Sequence, residues 1–466
     1  VREVLLPLAH ALVGRKDLPI PAWLFAWGAS LVLIVSFVAL SYGWREPRLE
    51  GDSWRAVSER WSRILTGTAA QALAAVVGVL LFLLVIWSGL HGTDAPDRNF
   101  ALTFVFVSFW LGMVLLSVLF GNVFRAFNPW RTIGRTVSAG FKAIAGQSAP
   151  APLKYPDWLG RWPAALGILA FVWLELIYGA GGLTVGLNPH VTAISVIVYS
   201  GITFIAMGLF GVEEWIERGE TFSVYMAMFA RLAPLEVRDG KLGARRPLSG
   251  AVGWTEEAPG SVALVVATIG ATSFDGGQEG VFASGITSLF DKLRDAGISA
   301  LTAFRLTDTI FLIAVVLGVG AVFALGIAGM RTIDRDRTAA ELRRIFGHTL
   351  IPIALAYLVA HYFSLFVFQE QAQFTFLLSD PLGTGHDYFG TAGYGINYAA
   401  IGATAVWYVQ VAALVIGHVA ALTLAHDKAI AIYGEPEKAT RSQYWMLSVM
   451  VAFTCFGLFL LSQANG

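Results

Sequence analysis

Apolar residues run through this chain in long, nearly unbroken stretches separated by short polar segments, not in the alternation of half-buried elements. A bilayer's hydrocarbon core is about 30 Å thick, so a spanning helix rising about 1.5 Å per residue needs roughly 20 apolar residues. Nine stretches meet that length: 20–42, 68–90, 99–120, 163–181, 191–212, 306–330, 348–369, 399–425 and 443–462. A tenth, 260–275, is shorter and runs into Thr272-Ser273-Phe274-Asp275-Gly276-Gly277. The distribution of cations decides whether it crosses. If it does, loops 43–67, 121–162, 213–259, 331–347 and 426–442 share one side and hold 25 of the 32 Lys and Arg residues. Without it, the basic loop 331–347 falls opposite the first three, against the positive-inside rule. The pattern therefore predicts an all-α, polytopic transmembrane helix bundle of about ten spans with both termini outside, in a bacterial inner (cytoplasmic) membrane.

Between the spans the sequence predicts little soluble mass. Residues 1–19 read as an extracytoplasmic segment in which Val4–Leu8 and Ala9-His10-Ala11 resemble the end of a signal peptide, with a start further upstream. Residues 20–466 form one integral-membrane domain. Within it, 121–162 mixes Arg, Trp and Phe as interfacial segments do. Segment 221–235 is too short to span and is expected to lie, amphipathic, along the inner surface. Segment 280–294 repeats apolar residues at helical spacing and is expected to fold back on the bundle. Segment 370–398 has no Lys or Arg, is rich in Gly and aromatics, and predicts an ordered outer cap.

Composition agrees. Hydrophobic residues make up 56% and charged residues 14% of the 466, against about 25% charged in an ordinary soluble domain. Lys plus Arg and Asp plus Glu are both 32, which excludes a basic nucleic-acid binder. The single cysteine, Cys455, excludes an intrachain disulfide or a Cys-ligated metal cluster.

An ionisable group deep in a span costs roughly 2.5–3.5 kcal/mol on insertion scales, which makes it a functional candidate. Three qualify: Glu175 past the middle of the fourth span, His361 about 20 Å along the eighth, and His418 in the inner half of the ninth. Glu175 and His361, at similar depth, read as a proton relay or as two ligands of a buried metal. The alternative is a neutral group hydrogen-bonded between packed helices. Asp275 belongs to an outer-surface group with His91, Asp94, Asp97, Glu279, Glu370, Asp380, His386 and Asp387. It ends a short apolar helix in a Gly-rich break, where free carbonyls would bind a cation or polar ligand, unless Gly276 simply caps the helix. Catalytic candidates are thus Glu175, His361 and Asp275. Metal-ligand candidates are His361, His418, Glu175 and, from the His386-Asp387 loop, His386, for a divalent transition metal. An N-terminal His10 after cleavage at Ala9 would chelate copper, and His361 with His418 would in principle hold a haem. His190, His348 and His426, at helix ends, read as solvated or interfacial. No nucleotide-binding Gly loop, His-Glu-x-x-His, Gly-x-Ser-x-Gly or Cys-x-x-Cys-His motif occurs.

Several strings together are specific: Gly14-Arg15-Lys16-Asp17-Leu18-Pro19-Ile20-Pro21, Asn128-Pro129-Trp130-Arg131, Phe171-Val172-Trp173-Leu174-Glu175-Leu176 and Arg218-Gly219-Glu220-Thr221-Phe222-Ser223-Val224-Tyr225. Ser273-Phe274-Asp275-Gly276, Ala360-His361-Tyr362-Phe363-Ser364, Ser379-Asp380-Pro381-Leu382-Gly383 and Trp407-Tyr408-Val409-Gln410 continue the set. Along most of its length the chain resembles bacterial, largely actinobacterial, membrane proteins that carry the name fenitrothion hydrolase. The resemblance implies hydrolysis of an organophosphorus triester at the membrane, by an enzyme with a second membrane subunit; the native substrate is open, and no catalytic residue comes with the name. Such chemistry needs an activated water and a stabilised phosphoryl oxygen, most simply from a metal held by His and carboxylate. Expected partners are therefore the lipid bilayer and a hydrophobic small molecule. Two other readings stand beside it: a secondary transporter with a polar site near the broken sixth span, and a membrane subunit of an electron-transfer complex.

Overall fold

The computed structural model of the chain describes residues 22–146, 153–179 and 188–464. The N-terminal segment 1–19, with its signal-peptide and His10 expectations, lies outside the described residues. The described chain is mostly helical, and seven helices are long and apolar enough to cross a membrane. They are Leu24–Gly43, Glu59–His91, Phe100–Phe120, Pro189–Phe210, Ala300–Met330, Ala339–Leu377 and Ala403–Tyr433, with the bent pair Pro436–Ser442 and Tyr444–Leu460 making an eighth. The expected spans 163–181 and 260–275 are present as shorter apolar helices, Trp162–Tyr178 and Ser261–Gly277.

Local chemistry sets several helix starts. Asn99, Asn128 and Asn188 each accept a backbone N–H of the first turn, and the latter two are followed by Pro at the first helical position. Thr338 and Glu341 cap one another reciprocally. The bundle's ends differ. At one end lie the basic loops, with the amphipathic helices Glu59–Thr66 and Pro129–Ala145. A small antiparallel sheet lies there too, in which Lys241–Ala244 pairs with both Arg55–Ala56 and Leu235–Arg238. Its hairpin turns through Asp239 and Gly240, both with positive φ (48° and 74°), the geometry Asp-Gly favours. At the other end the helix containing His361 runs on through Leu377, so the cap begins after it and spans only the irregular part of 370–398. That cap is tied down where Thr93 donates to the Leu382 carbonyl and Phe100 to that of Pro381. Ala283–Asp295 folds back as expected, burying Ile286 and packing on Ala300–Met330.

One expectation about the helices fails. The segment 221–235 does not lie along a surface. Its helix, Thr221–Ala230, buries every residue but Ala227, because apolar side chains occupy all its faces and it wedges between Phe100–Phe120 and Trp162–Tyr178. Ser261–Gly277 is likewise buried on nearly all sides, enclosed by Trp162–Tyr178, Ala300–Met330 and Ile351–Ala372. These two short helices form the centre of the bundle.

Candidate functional site

Three helices meet around the last turn of Ser261–Gly277. Asp275 is not at the outer surface, as the sequence suggests, but 4% exposed. Its carboxylate is held by neighbouring polar side chains. His361 Nε2 lies 2.8 Å from Asp275 Oδ2, the Tyr362 hydroxyl donates to the same oxygen at 2.6 Å, and Gln278 Nε2 donates to Oδ1 at 2.9 Å. A carboxylate oxygen held against Nε2 fixes the orientation of the imidazole ring. Nδ1 turns toward Gly276, where an added Cβ would lie 3.2 Å away. The absence of a side chain at 276 is what lets the ring approach.

Glu175 approaches the same group from Trp162–Tyr178. It sits in a π-helical turn, Leu174–Tyr178, where the wider winding re-aims side chains. Its carboxyl is within electrostatic reach of Asp275 and of the hydroxyls of Tyr225 and Tyr362. Tyr225 stacks flat on Trp110, with ring centroids 4.6 Å apart, and its buried hydroxyl has no hydrogen-bond partner. A second π-helical turn, Phe104–Gly112, carries Trp110, and Ser108 in it donates to Glu370 at 3.0 Å; a third, Gln373–Leu377, continues the helix of His361 toward the cap. A cavity of about 30 Å³ lies beside His361, lined also by Ser273, Gly276, Tyr357 and Gly457. That volume suits one or two waters, and the buried Ser273 hydroxyl that lines it has no protein partner.

The expected metal set is not assembled. Among the described residues no three His, Cys, Asp or Glu side chains are grouped to hold a metal ion. His418 is fully buried, but its Nδ1 contacts the Leu414 carbonyl at 2.8 Å and its ring lies beside Tyr357. His386 stacks on Tyr388 in the exposed cap, beside an Asp387 that accepts from Ser379 and the amides of Thr391 and Ala392. Of the candidate ligands only Glu175 and His361 come to the Asp275 group; His386 lies in the exposed cap. Of the histidines read as solvated or interfacial, His190 is exposed, whereas His348 and His426 are buried; His426 Nε2 contacts the Trp44 carbonyl.

Sequence reasoning missed Tyr362, Tyr225 and Gln278, and it passed over a buried acid, Asp308, 2% exposed in Ala300–Met330. Asp308 carries a signal that could have found it, an acid inside an apolar run. The tyrosines carry none, because aromatic residues are ordinary filling in such helices. No family model, curated protein or solved structure matches the chain.

Proposed function

We propose that this chain is a membrane-embedded hydrolase in which the Asp275–His361 pair activates water against an apolar ester, with an organophosphorus triester as the substrate class implied by the resemblance. The observation that carries the reading is the buried Asp275 carboxylate joined to His361 and Tyr362 beside a water-sized cavity. In the proposed step His361 Nδ1 takes a proton from water as its oxygen bonds to phosphorus. The ester oxygen leaves with its bonding electrons and is protonated by Glu175 in its neutral form. The Tyr225 hydroxyl, which has no hydrogen-bond partner, supplies a hydrogen bond to the phosphoryl oxygen as its charge grows. Nothing in this step calls on the metal that the sequence led us to expect.

Ten crossings fit the reading, with Trp162–Tyr178 and Ser261–Gly277 completing the count and the basic loops on the cytoplasmic side of a bacterial inner membrane. Substrate would enter from the bilayer. A lateral apolar cavity of about 400 Å³, lined by Phe106, Phe171, Leu174 and Phe222 among others, offers such a molecule a place between helices.

A second reading, proton-coupled transport, is favoured by one observation: two acids, Glu175 and Asp275, share the site at the buried end of a short helix, where transporters place their coupling groups. One experiment separates the two. The protein in nanodiscs is assayed with a chromogenic apolar triester, and in proteoliposomes for proton flux, each with His361→Gln. Hydrolysis that falls at least 100-fold in the variant supports the hydrolase. His361-dependent proton flux without hydrolysis replaces it with transport. Neither activity overturns both.

A further inference from the structure

At the basic-loop end a second, polar cavity of about 410 Å³ opens. Four arginines from separate segments line it: Arg125 after Phe100–Phe120, Arg161 before Trp162–Tyr178, Arg218 ending Val212–Arg218, and Arg231 just past Thr221–Ala230. We propose that this cavity binds a phosphate-bearing anion. The proposal is independent of the hydrolase reading.

The charge balance of the wall favours an anion. Only two carboxylates, Glu217 and Glu257, line the cavity against the four guanidinium groups. Each arginine is held in place, yet its pairing leaves donors to spare. Arg161, with its side chain 9% exposed, donates Nη1 to the Trp254 carbonyl and Ser261 and Nη2 to Glu257, and stacks over the Trp254 ring at 4.1 Å. Its buried Nε has no acceptor. Arg231 reaches Glu257 only at 3.5 Å, whereas Arg218 pairs through Nε with Glu214 at 3.0 Å and reaches Asp157 from Nη1 at 3.4 Å. Arg125 is anchored from behind by Glu213 as well as by Glu217. Asn122 and Ser223 also line the wall. Guanidinium forks match the oxygens of a phosphate two at a time, and a polyatomic anion is needed to use several at once.

Two sources share that chemistry, a free phosphate compound and the headgroup of an anionic phospholipid. The second has support from the fold. Segments 122–130 and 222–224 present Asn122, Arg125, Ser223 and Val224 to the polar cavity. The same segments present Phe124, Phe127, Trp130 and Phe222 to the lateral apolar one. A headgroup site and an acyl-chain site thus stand on opposite faces of one wall, at the end of the bundle where basic pockets bind anionic lipids.

The test uses the full chain purified in a neutral detergent. Binding is followed by native mass spectrometry and thermal melting with phosphatidylglycerol, phosphatidylcholine, or inorganic phosphate. The comparison variant is Arg218→Gln with Arg231→Gln, whose side chains are 40% and 34% exposed and so are tolerant positions. Phosphatidylglycerol bound at least tenfold more tightly than phosphatidylcholine, with that preference lost in the variant, assigns a lipid headgroup. Phosphate that binds alone and is lost in the variant assigns a free anion. Failure of both ligands to exceed phosphatidylcholine, or binding unchanged in a folded variant, overturns the proposal. A variant that does not fold leaves the wild-type comparison to decide: the tenfold preference, or saturable phosphate binding, supports the site, and neither overturns it.

Discussion

Replacing Gly276 by alanine would put a methyl carbon 3.2 Å from His361 Nδ1, 3.5 Å from its Cε1 and 3.9 Å from its Cγ. Unstrained contacts of this kind lie near 3.6 Å, so the imidazole must retreat by about 0.4 Å. If a misplacement of about 1 Å costs about 100-fold in rate, the retreat lowers turnover about sixfold to tenfold, or about 1–1.4 kcal/mol. Stability moves the other way. Gly276 has helical neighbours on both sides, and alanine is favoured there by about 1 kcal/mol, which offsets the crowding. The expected outcome is an unchanged or slightly raised melting temperature with turnover reduced, measured as triester hydrolysis in nanodiscs. The cycle closes with His361→Ala, in which Gly276→Ala should have no further effect on rate. Turnover within twofold of wild type in a folded Gly276→Ala protein would refute the argument that the ring's position against Asp275 matters.

Other expectations follow from the same geometry. Asp275→Asn keeps the shape of the side chain but removes the charge that orients His361, so hydrolysis should fall by about 100-fold or more while melting shifts little; a rate above a third of wild type would count against the pair. Asp427, fully buried, accepts from Trp44 Nε1 at 2.7 Å and from the amides of Arg48 and Leu49 at 2.6 and 3.0 Å. Asp427→Ala should therefore destabilise the protein by about 3 kcal/mol, seen as a lower melting temperature in detergent. Asp387 is held below the ordinary carboxylate value of 3.8 chiefly by the Ser379 hydroxyl. Its contribution is present above the unfolded value and is lost as pH falls through the lower folded one. Hydrogen exchange of residues 379–392, corrected for intrinsic rate, should then accelerate on acidification below pH 3.8 and stay flat between pH 5 and 7.

Much of this fold is readable from hydropathy alone, because lipid-facing helices must be apolar over a fixed length. The two central helices are where that reading weakens. Thr221–Ala230 touches protein on all sides, so nothing forces a polar stripe on it, and its length hides it from a span-length criterion. The site was half visible. Glu175 and His361 announce themselves as ionisable groups at matching depth, but Asp275, next to a Gly pair, looks like an exposed helix end. Only the packing of Ile351–Ala372 against Ser261–Gly277 shows that this end is inside. The metal set was less legible for a related reason: depth along a helix follows from residue count, whereas which side chains face one another depends on how the helices pack.

The two enclosed helices also bear on how the protein is made. Ten residues rise about 15 Å and seventeen about 25 Å, both short of the hydrocarbon thickness, so neither is a strong insertion signal for the translocation machinery. Thr221–Ala230 can settle against Phe100–Phe120 and Trp162–Tyr178, which leave the ribosome before it. Ser261–Gly277 has only part of its enclosure when it is synthesised, since Ala300–Met330 and Ile351–Ala372 come later. A nascent chain stopped before residue 300 would hold Asp275 at the edge of an unfinished bundle, without its histidine. Assembly of the last third of the protein thus completes the enclosure of Asp275 and brings it its histidine.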